Sequence, residues 1–194
     1  MNKIIAILGL SCAGKDTIIE KLSYETKIPI IVSHTTRPMR EHELNELQYN
    51  FVSDNFFEEN KERFIEQRIY KVKNKDNSTS IWRYGIHEDS VRGGVNLVIV
   101  DPPGLKDLIK YYGKENIIPF YIFATDETRM ERLKKRGDFN NPMEVKRRFN
   151  DDNERFKEFI QSKDYYKICN DSNDINLAVQ EIKGILKNYC SICY

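Results

Sequence analysis

The sequence predicts an α/β fold: a P-loop architecture with a parallel sheet core flanked by helices and a small mainly β insertion. Three observations predict it. Short apolar runs alternate with helical patterns along the 194-residue chain, the order expected of a parallel sheet covered on both faces. The first run, Ile4 to Leu8, passes through a glycine-bearing turn straight into the helical pattern Thr17-Ile18-Ile19-Glu20-Lys21-Leu22. One polar, aromatic stretch, 33–86, interrupts the alternation and reads instead as short strands and turns. Hydrophobic residues make up 40% of the chain, enough for a core of this size.

The remaining elements follow in order. Pro29-Ile30-Ile31-Val32 is a short buried strand, and Tyr49-Asn50-Phe51-Val52 alternates as a strand does. Ser53 and Asp54 cap a helix over 55–61. Phe64-Ile65-Glu66 opens another strand, and the turn-rich segment 74–78 between two strand-like runs predicts a β-hairpin. A short helix over 87–91 ends at Gly93-Gly94. Residues 95–100 form a buried parallel strand with Asp101 at its C-terminal end, and 104–112 a helix. The strand 117–123 leads to Asp126, the expected cap of a helix that Gly137 ends. Pro142 opens a long polar helix to about Ser162. Residues 165–169 form the last strand. Asn173 and Asp174 cap a closing helix whose apolar face is Ile175, Leu177, Val179, Ile182 and Leu186.

The turn after the first strand carries the chemistry. Gly9, four residues, then Gly14 and Lys15, set between a strand and a helix, have the spacing and context of a phosphate loop. The two glycines let the backbone turn its N–H groups inward, with Ser11, Cys12 and Ala13 between them, and the helix N-terminus favours an anion. Lys15 is placed to reach the β- and γ-phosphates of a nucleotide. The next position usually holds Ser or Thr as a Mg²⁺ ligand. Here it is Asp16, a hard oxygen donor, followed by Thr17, and both are candidate metal ligands.

Beyond the second strand stand Ser33, Arg37, Arg40 and Tyr49. Two guanidinium forks and a phenol can hold a phosphate, and the C-terminal edge of such a sheet is where α/β proteins bind ligands. At these residues the chain resembles the guanylate kinase family. The resemblance runs through Ser33-His34-Thr35-Thr36-Arg37, Arg40, Glu43, Tyr49-Asn50-Phe51-Val52-Ser53, Phe64-Ile65-Glu66, Tyr84-Gly85, Asp101 and Gly104. It continues through Arg132-Leu133, Arg136-Gly137, Arg148 and Asn170-Asp171, in order and over nearly the whole chain. It implies a core built from 1–32, 87–131 and 151–194, an acceptor-binding insertion at 33–86 and a lid region at 132–150. It further implies that Arg37, Arg40, Tyr49 and Tyr84 hold the phosphate of GMP, and that Ser33, Glu66 and Asp101 face guanine or its surroundings. Arg132, Arg136 and Arg148 would touch the transferring phosphoryl group, with Asn170 beside the ATP site. The implied reaction is ATP + GMP giving ADP + GDP, with Mg²⁺.

The chemistry of these residues suits the implied roles. A carboxylate such as Glu66 can accept from N1–H and the N2 amine of guanine, a face adenine lacks. Arginines suit phosphoryl transfer, which needs charge stabilisation and positioning more than a strong base. Several positions depart from the family pattern: Asp16 after the loop lysine, His42 and Glu46 where glycines are usual, Ile86 after Tyr84-Gly85, and Pro102-Pro103 before Gly104. GMP against dGMP stays open. So does another phosphorylated acceptor such as ribose 1,5-bisphosphate, whose kinases are similar and can carry Asp after the loop lysine. A non-catalytic guanylate-kinase-like binding module is the third alternative; the intact Gly9, Gly14 and Lys15 argue against it.

Composition narrows the partners. Lys+Arg 31 against Asp+Glu 30 leaves a net charge of +1, so no basic field recommends nucleic acid. No apolar run approaches the roughly 20 residues that span a bilayer, and the chain enters a strand too early for a signal peptide. Four scattered cysteines do not make a disulfide scaffold, and Cys190 and Cys193 read as a tail. His34, His42 and His87 lack metal-ligand spacing. The expectation is a cytoplasmic protein, monomer or homodimer, whose partners are small nucleotides.

Overall fold

The computed structural model describes residues 2–39, 44–46, 49–73, 78–135, 142–172 and 174–189. The strands in chain order are β1 (Lys3–Leu8), β2 (His34–Thr35), β3 (Asn50–Phe51), β4 (Phe64–Lys73), β5 (Thr79–His87), β6 (Val95–Ile99), β7 (Ile117–Phe123) and β8 (Tyr166–Cys169). The α-helices are α1 (Lys15–Thr26), α2 (Asp54–Glu59), α3 (Pro102–Tyr112), α4 (Asp126–Lys135), α5 (Pro142–Ser162) and α6 (Ile175–Leu186). The core sheet has the order β6-β1-β7-β8 and is parallel throughout. The second sheet has the order β3-β2-β5-β4 and mixes parallel with antiparallel pairs. The α/β fold with helices on both faces is therefore the architecture observed.

β1 shows why the core closes. Successive strand residues point to opposite faces, and all of Ile4 to Leu8 are fully buried. Ile5 and Ile7 pack with Ile18 and Leu22 of α1 and Val179, Ile182 and Leu186 of α6. Ile4, Ala6 and Leu8 pack on the other face with Leu105 and Leu108 of α3 and Phe156 and Phe159 of α5. Each large apolar side chain so buried contributes about 1.5–3 kcal/mol. Burial on both faces explains an unbroken apolar run where a half-exposed strand would alternate.

Some elements differ locally from the sequence expectation. The run 29–32 makes only a parallel bridge, Ile30 to Leu97, with Ile31 N–H donating to Leu97 O at 2.7 Å and Leu97 N–H to Pro29 O at 2.8 Å. It ends there because the Val32 carbonyl accepts instead from the Asn50 side chain at 3.2 Å, which turns the chain toward the second sheet. The predicted hairpin is the far end of one continuous antiparallel pair, with Glu66 opposite Ile86 and Lys73 opposite Thr79. In place of a helix over 87–91, His87 ends β5 and a 3₁₀ turn, Glu88–Ser90, follows. α3 starts two residues early because Asp101 caps it, accepting from Gly104 N–H at 3.0 Å, and prolines are tolerated in a first turn. Asp126 does not cap α4. The Thr125 hydroxyl accepts from Thr128 N–H at 3.3 Å, leaving the Asp126 carboxylate to pair with Arg129 at 2.7 Å. The caps at Ser53 and Asp174 are present. Asn173, Gly137, Cys190 and Cys193 lie outside the described residues. No helix among the described residues is long and apolar enough to cross a membrane.

Candidate active site

The phosphate loop leaves β1 at Gly9 and enters α1 at Lys15. Cys12 (φ 63) and Gly14 (φ 95) adopt the left-handed conformation that turns the loop back on itself. Two close approaches make glycine necessary here. A Cβ at Gly9 would meet Ile122 O at 2.5 Å, and one at Gly14 would collide with the Asn170 side-chain amide. That amide donates to Ala13 O at 2.8 Å, so buried Asn170 fixes the loop from below. No side chain caps α1, whose N-cap is Gly14; the N–H groups of its first turn therefore face the loop without a side-chain acceptor. Lys15 Nζ is half-buried and donates to Leu10 O at 3.1 Å. Burial pushes its ammonium below the usual lysine range, and the carboxylates of Asp16 and Asp152 counter that. Asp16 and Thr17 are exposed beside it.

Arginine and aspartate from α4 and α5 hold the loop from outside. Arg129 has no exposed surface and donates to Ser11 O at 2.8 Å. It also pairs with Asp126 at 2.7 Å and Asp152 at 3.4 Å, and lies 4.1 Å from the Phe149 ring centroid. Asp152 in turn accepts from Ser11 N–H at 2.7 Å. Neither residue was singled out by the sequence reading. Arg132 donates to Ala13 O at 3.1 Å and Asn170 O at 2.7 Å, so its guanidinium braces the loop against the end of β8. Arg40, Arg136 and the Arg148 side chain lie outside the described residues.

Facing the loop is the second sheet. A cleft of about 490 Å³ lies between the two, lined by Gly9, Ser11 and Lys15 of the loop, by Ser33, Tyr49 and Tyr84 at the second sheet, and by Asp101 beyond the end of β6. Tyr84 makes edge contacts with Tyr49 and Tyr70, at 5.7 and 5.4 Å between centroids. Burial, with Tyr84 and Asp16 beside it, pushes the Tyr49 phenol up to about 12, so it keeps its donor proton at neutral pH. Arg37 is buried behind this wall, donating to Pro38 O at 2.7 Å and lying over the Tyr49 ring at 5.3 Å. Its backbone is set by Thr35, whose hydroxyl accepts from Arg37 N–H at 3.1 Å.

Asp101 and Tyr70 line the far end of the cleft, and Arg68, absent from the sequence reading, ties Asp101 to Glu66, which is buried behind it. Arg68 donates from Nε and Nη2 to the two oxygens of Glu66, both at 2.9 Å, and from Nη1 to Asp101 at 3.0 Å. The Tyr70 hydroxyl donates to the other Asp101 oxygen at 2.6 Å. Burial works against the ionised Asp101, but Arg68, Tyr70 and the Gly104 amide outweigh it and hold its carboxyl below the ordinary range. Burial pushes the Glu66 carboxyl up, against the pull of Arg68. The signal for Arg68 was present: two residues apart on a strand, Glu66 and Arg68 share a face. Among the described residues no group of acidic, histidine or cysteine side chains forms a ready metal site.

A parallel sheet with a phosphate loop at the C-terminal end of its central strand, opposed by a tyrosine- and arginine-rich insertion, defines a P-loop protein of the nucleoside monophosphate kinase class. Comparison with known proteins narrows this. The guanylate kinase family model matches residues 1–189. A guanylate kinase of Clostridioides difficile is 31% identical over 189 residues, covering 95% of this chain and 87% of its own. One of Wolbachia pipientis is 32% identical over 185 residues, covering 94% and 88%. The crystal structure of guanylate kinase from Anaplasma phagocytophilum matches with a TM-score of 0.64 at 22% identity, over 98% of this chain and 87% of that one, which shows the shared fold. The chain belongs to the guanylate kinase family. Membership supports a phosphotransferase of the guanylate-kinase-like, nucleoside-monophosphate type.

Proposed function

We propose that this protein transfers the γ-phosphoryl group of ATP to the phosphate of GMP, yielding ADP and GDP, with dGMP as a second acceptor. The observation that carries the reading is the single cleft running from Lys15 to Tyr49, Tyr84 and Asp101. That the phosphate loop and the residues proposed for the acceptor share one space supports in-line transfer.

Each group has a part in this scheme. The loop from Gly9 through Ser11, Cys12, Ala13 and Gly14 to Lys15 cradles the donor phosphates, braced by Asn170 and Arg132. The residues fit Mg²⁺ as well: exposed Asp16 and Thr17 at the uncapped start of α1 are hard oxygen donors beside the phosphate position. When bound there, the ion supplies charge neutralisation on the β- and γ-phosphates. Arg37, Arg40, Tyr49 and Tyr84 hold and orient the acceptor phosphate. Ser33, Glu66 and Asp101 define the base end. Arg136 and Arg148 bring positive charge from the lid region, where negative charge spreads over the transferring oxygens. No residue acts as a strong base, because the attacking phosphate monoester oxygen is already ionised near neutral pH.

An acceptor panel tests this directly. With ATP and Mg²⁺, GMP and dGMP should be phosphorylated far faster than AMP, dTMP or ribose 1,5-bisphosphate. Lys15→Ala should lower turnover by orders of magnitude without unfolding the chain. Turnover confined to ribose 1,5-bisphosphate, or near-normal turnover in folded Lys15→Ala, overturns the proposal.

A further inference from the structure

The residue at the base end that faces the cleft is Arg68, not Glu66. Arg68, Tyr70 and Asp101 line the cleft, whereas Glu66 does not and is 2% exposed. Both Glu66 oxygens already accept from the Arg68 fork, at 2.9 Å each. Charge-assisted, bidentate and desolvated, this is the strong form of such a pair. The Glu66 oxygens keep further lone pairs, but the side chain is buried away from the cleft, so a base reaching them would have to move Arg68 and Asp101 aside. Ile86, opposite Glu66 on β5, is fully buried in the apolar core and offers no polar group.

Arg68 still has hydrogen-bonding capacity. A guanidinium carries five N–H donors and no acceptor. Three are used, two on Glu66 and one on Asp101, leaving one on each terminal nitrogen. Two carboxylates hold the group in place, so it is positioned before any acceptor arrives. Counting Arg155, which lies over the Tyr70 ring and acts on Asp101, two cations meet two carboxylates, so this end of the cleft does not call for an anion such as a second phosphate. It calls for a neutral group with two neighbouring acceptor atoms. The O6 and N7 edge of a 6-oxopurine has this pattern and pairs well with an arginine fork, whereas adenine places an amine beside N7.

We propose that Arg68 is the specificity-determining residue of this cleft, reading the carbonyl edge of a 6-oxopurine nucleotide while Glu66 and Asp101 serve as its braces. This rests on the nucleoside monophosphate kinase reading above and deepens it. The substrate class becomes 6-oxopurine monophosphates, GMP and IMP alike, because Glu66, the carboxylate that would read the 2-amino group, is tied to Arg68 and does not line the cleft.

The test measures kcat/KM of the full-length protein for GMP, IMP and AMP, with acceptor binding followed by calorimetry. IMP should lie within about tenfold of GMP, and AMP at least a hundredfold below both, the discrimination expected of one good bidentate contact with added mispairing. Arg68→Lys keeps the charge but loses the fork; it should shrink the GMP/AMP ratio tenfold or more in a variant that circular dichroism shows to be folded at the assay temperature. Glu66→Gln, acting through Arg68, should weaken GMP and IMP equally. IMP more than a hundredfold below GMP, an unchanged GMP/AMP ratio in Arg68→Lys, or a GMP/IMP ratio that falls in Glu66→Gln would each overturn the role of Arg68 while leaving the kinase reading intact. If neither GMP nor IMP binds or is phosphorylated, both readings fall together.

Discussion

Arg129→Met should loosen the phosphate loop from outside the cleft. Arg129 is fully buried, ties Ser11 O to α4 and α5, and faces Asp152, whose side chain is 14% exposed. Methionine keeps the contact with Phe149 but removes every donor. The arm to Asp126 is exposed at its far end and contributes little. Breaking a buried pair by deleting one partner costs about 3–5 kcal/mol. Asp152 keeps the Ser11 N–H at 2.7 Å, which offsets part of that, so a loss of about 2–4 kcal/mol is expected. For a chain of this size each kcal/mol moves the melting temperature by about 2–4 °C, giving a drop of about 4–16 °C. The loop should also bind ATP less well, raising the KM for ATP while leaving that for the acceptor near its parent value. Adding Asp152→Asn removes the uncompensated charge, so the double variant should recover part of the stability lost by the single. A melting temperature within 2 °C of the parent would refute this account of the loop, with about 2 °C being the smallest shift that a 1 kcal/mol loss produces. So would a double variant whose losses simply add.

Two further outcomes follow from the geometry. Asp16→Ala should raise the Mg²⁺ concentration giving half-maximal rate, measured by titrating the metal at fixed ATP; an unchanged Mg²⁺ dependence leaves Thr17 or the nucleotide as the anchor. His34, held against Phe56 and near His87, has its pKa lowered by burial from 6.5 to about 4, with His87 adding to that and Asp89 opposing it. The unfolded chain then binds a proton that the folded chain does not between those values, so stability is full above about pH 6.5 and falls toward pH 4. Discounted for solvent on the exposed side of the ring, the loss between pH 7 and 5 should be about 1–2 kcal/mol. Urea unfolding at both pH values checks it; His34→Phe keeps the stack and should reduce the pH slope, and an unaltered slope would rule His34 out.

The sequence displays most of this fold because burial leaves a periodic trace. Ile117–Phe123 and Pro142–Ser162 have the bounds that their patterns predict. The first owes this to burial on both faces, the second to a proline start and an apolar stripe through Val145, Phe149, Phe156 and Phe159. The phosphate loop is equally legible, because its backbone conformation demands glycine at fixed spacing and its charge demands a lysine. Boundaries set by competition between donors are not legible. Whether Thr125 or Asp126 caps α4 depends on Arg129 drawing the aspartate away. Whether 29–32 extends as a strand depends on Asn50 claiming the Val32 carbonyl.

The same limit explains which functional groups stayed hidden. Lys15, Tyr49 and Tyr84 stand in recognisable local motifs and line the cleft, so a motif finds them. Arg129, Asp152 and Arg68 act through partners brought together by the fold: Arg129 lies 118 residues from Ser11 and Arg68 33 residues from Asp101. In the chain Arg129 is one cation on a polar helix and Arg68 one more charge on a hairpin. Burial gives each its meaning, because a charge inside a protein must be paired. A buried arginine therefore reports two carboxylates that cannot be moved independently of it. For Arg68 those carboxylates are Glu66 and Asp101, the two that resemblance assigns to the base. Any account of acceptor choice in this protein must treat the three as one unit, and the member of that unit that lines the cleft and keeps unused donors is Arg68.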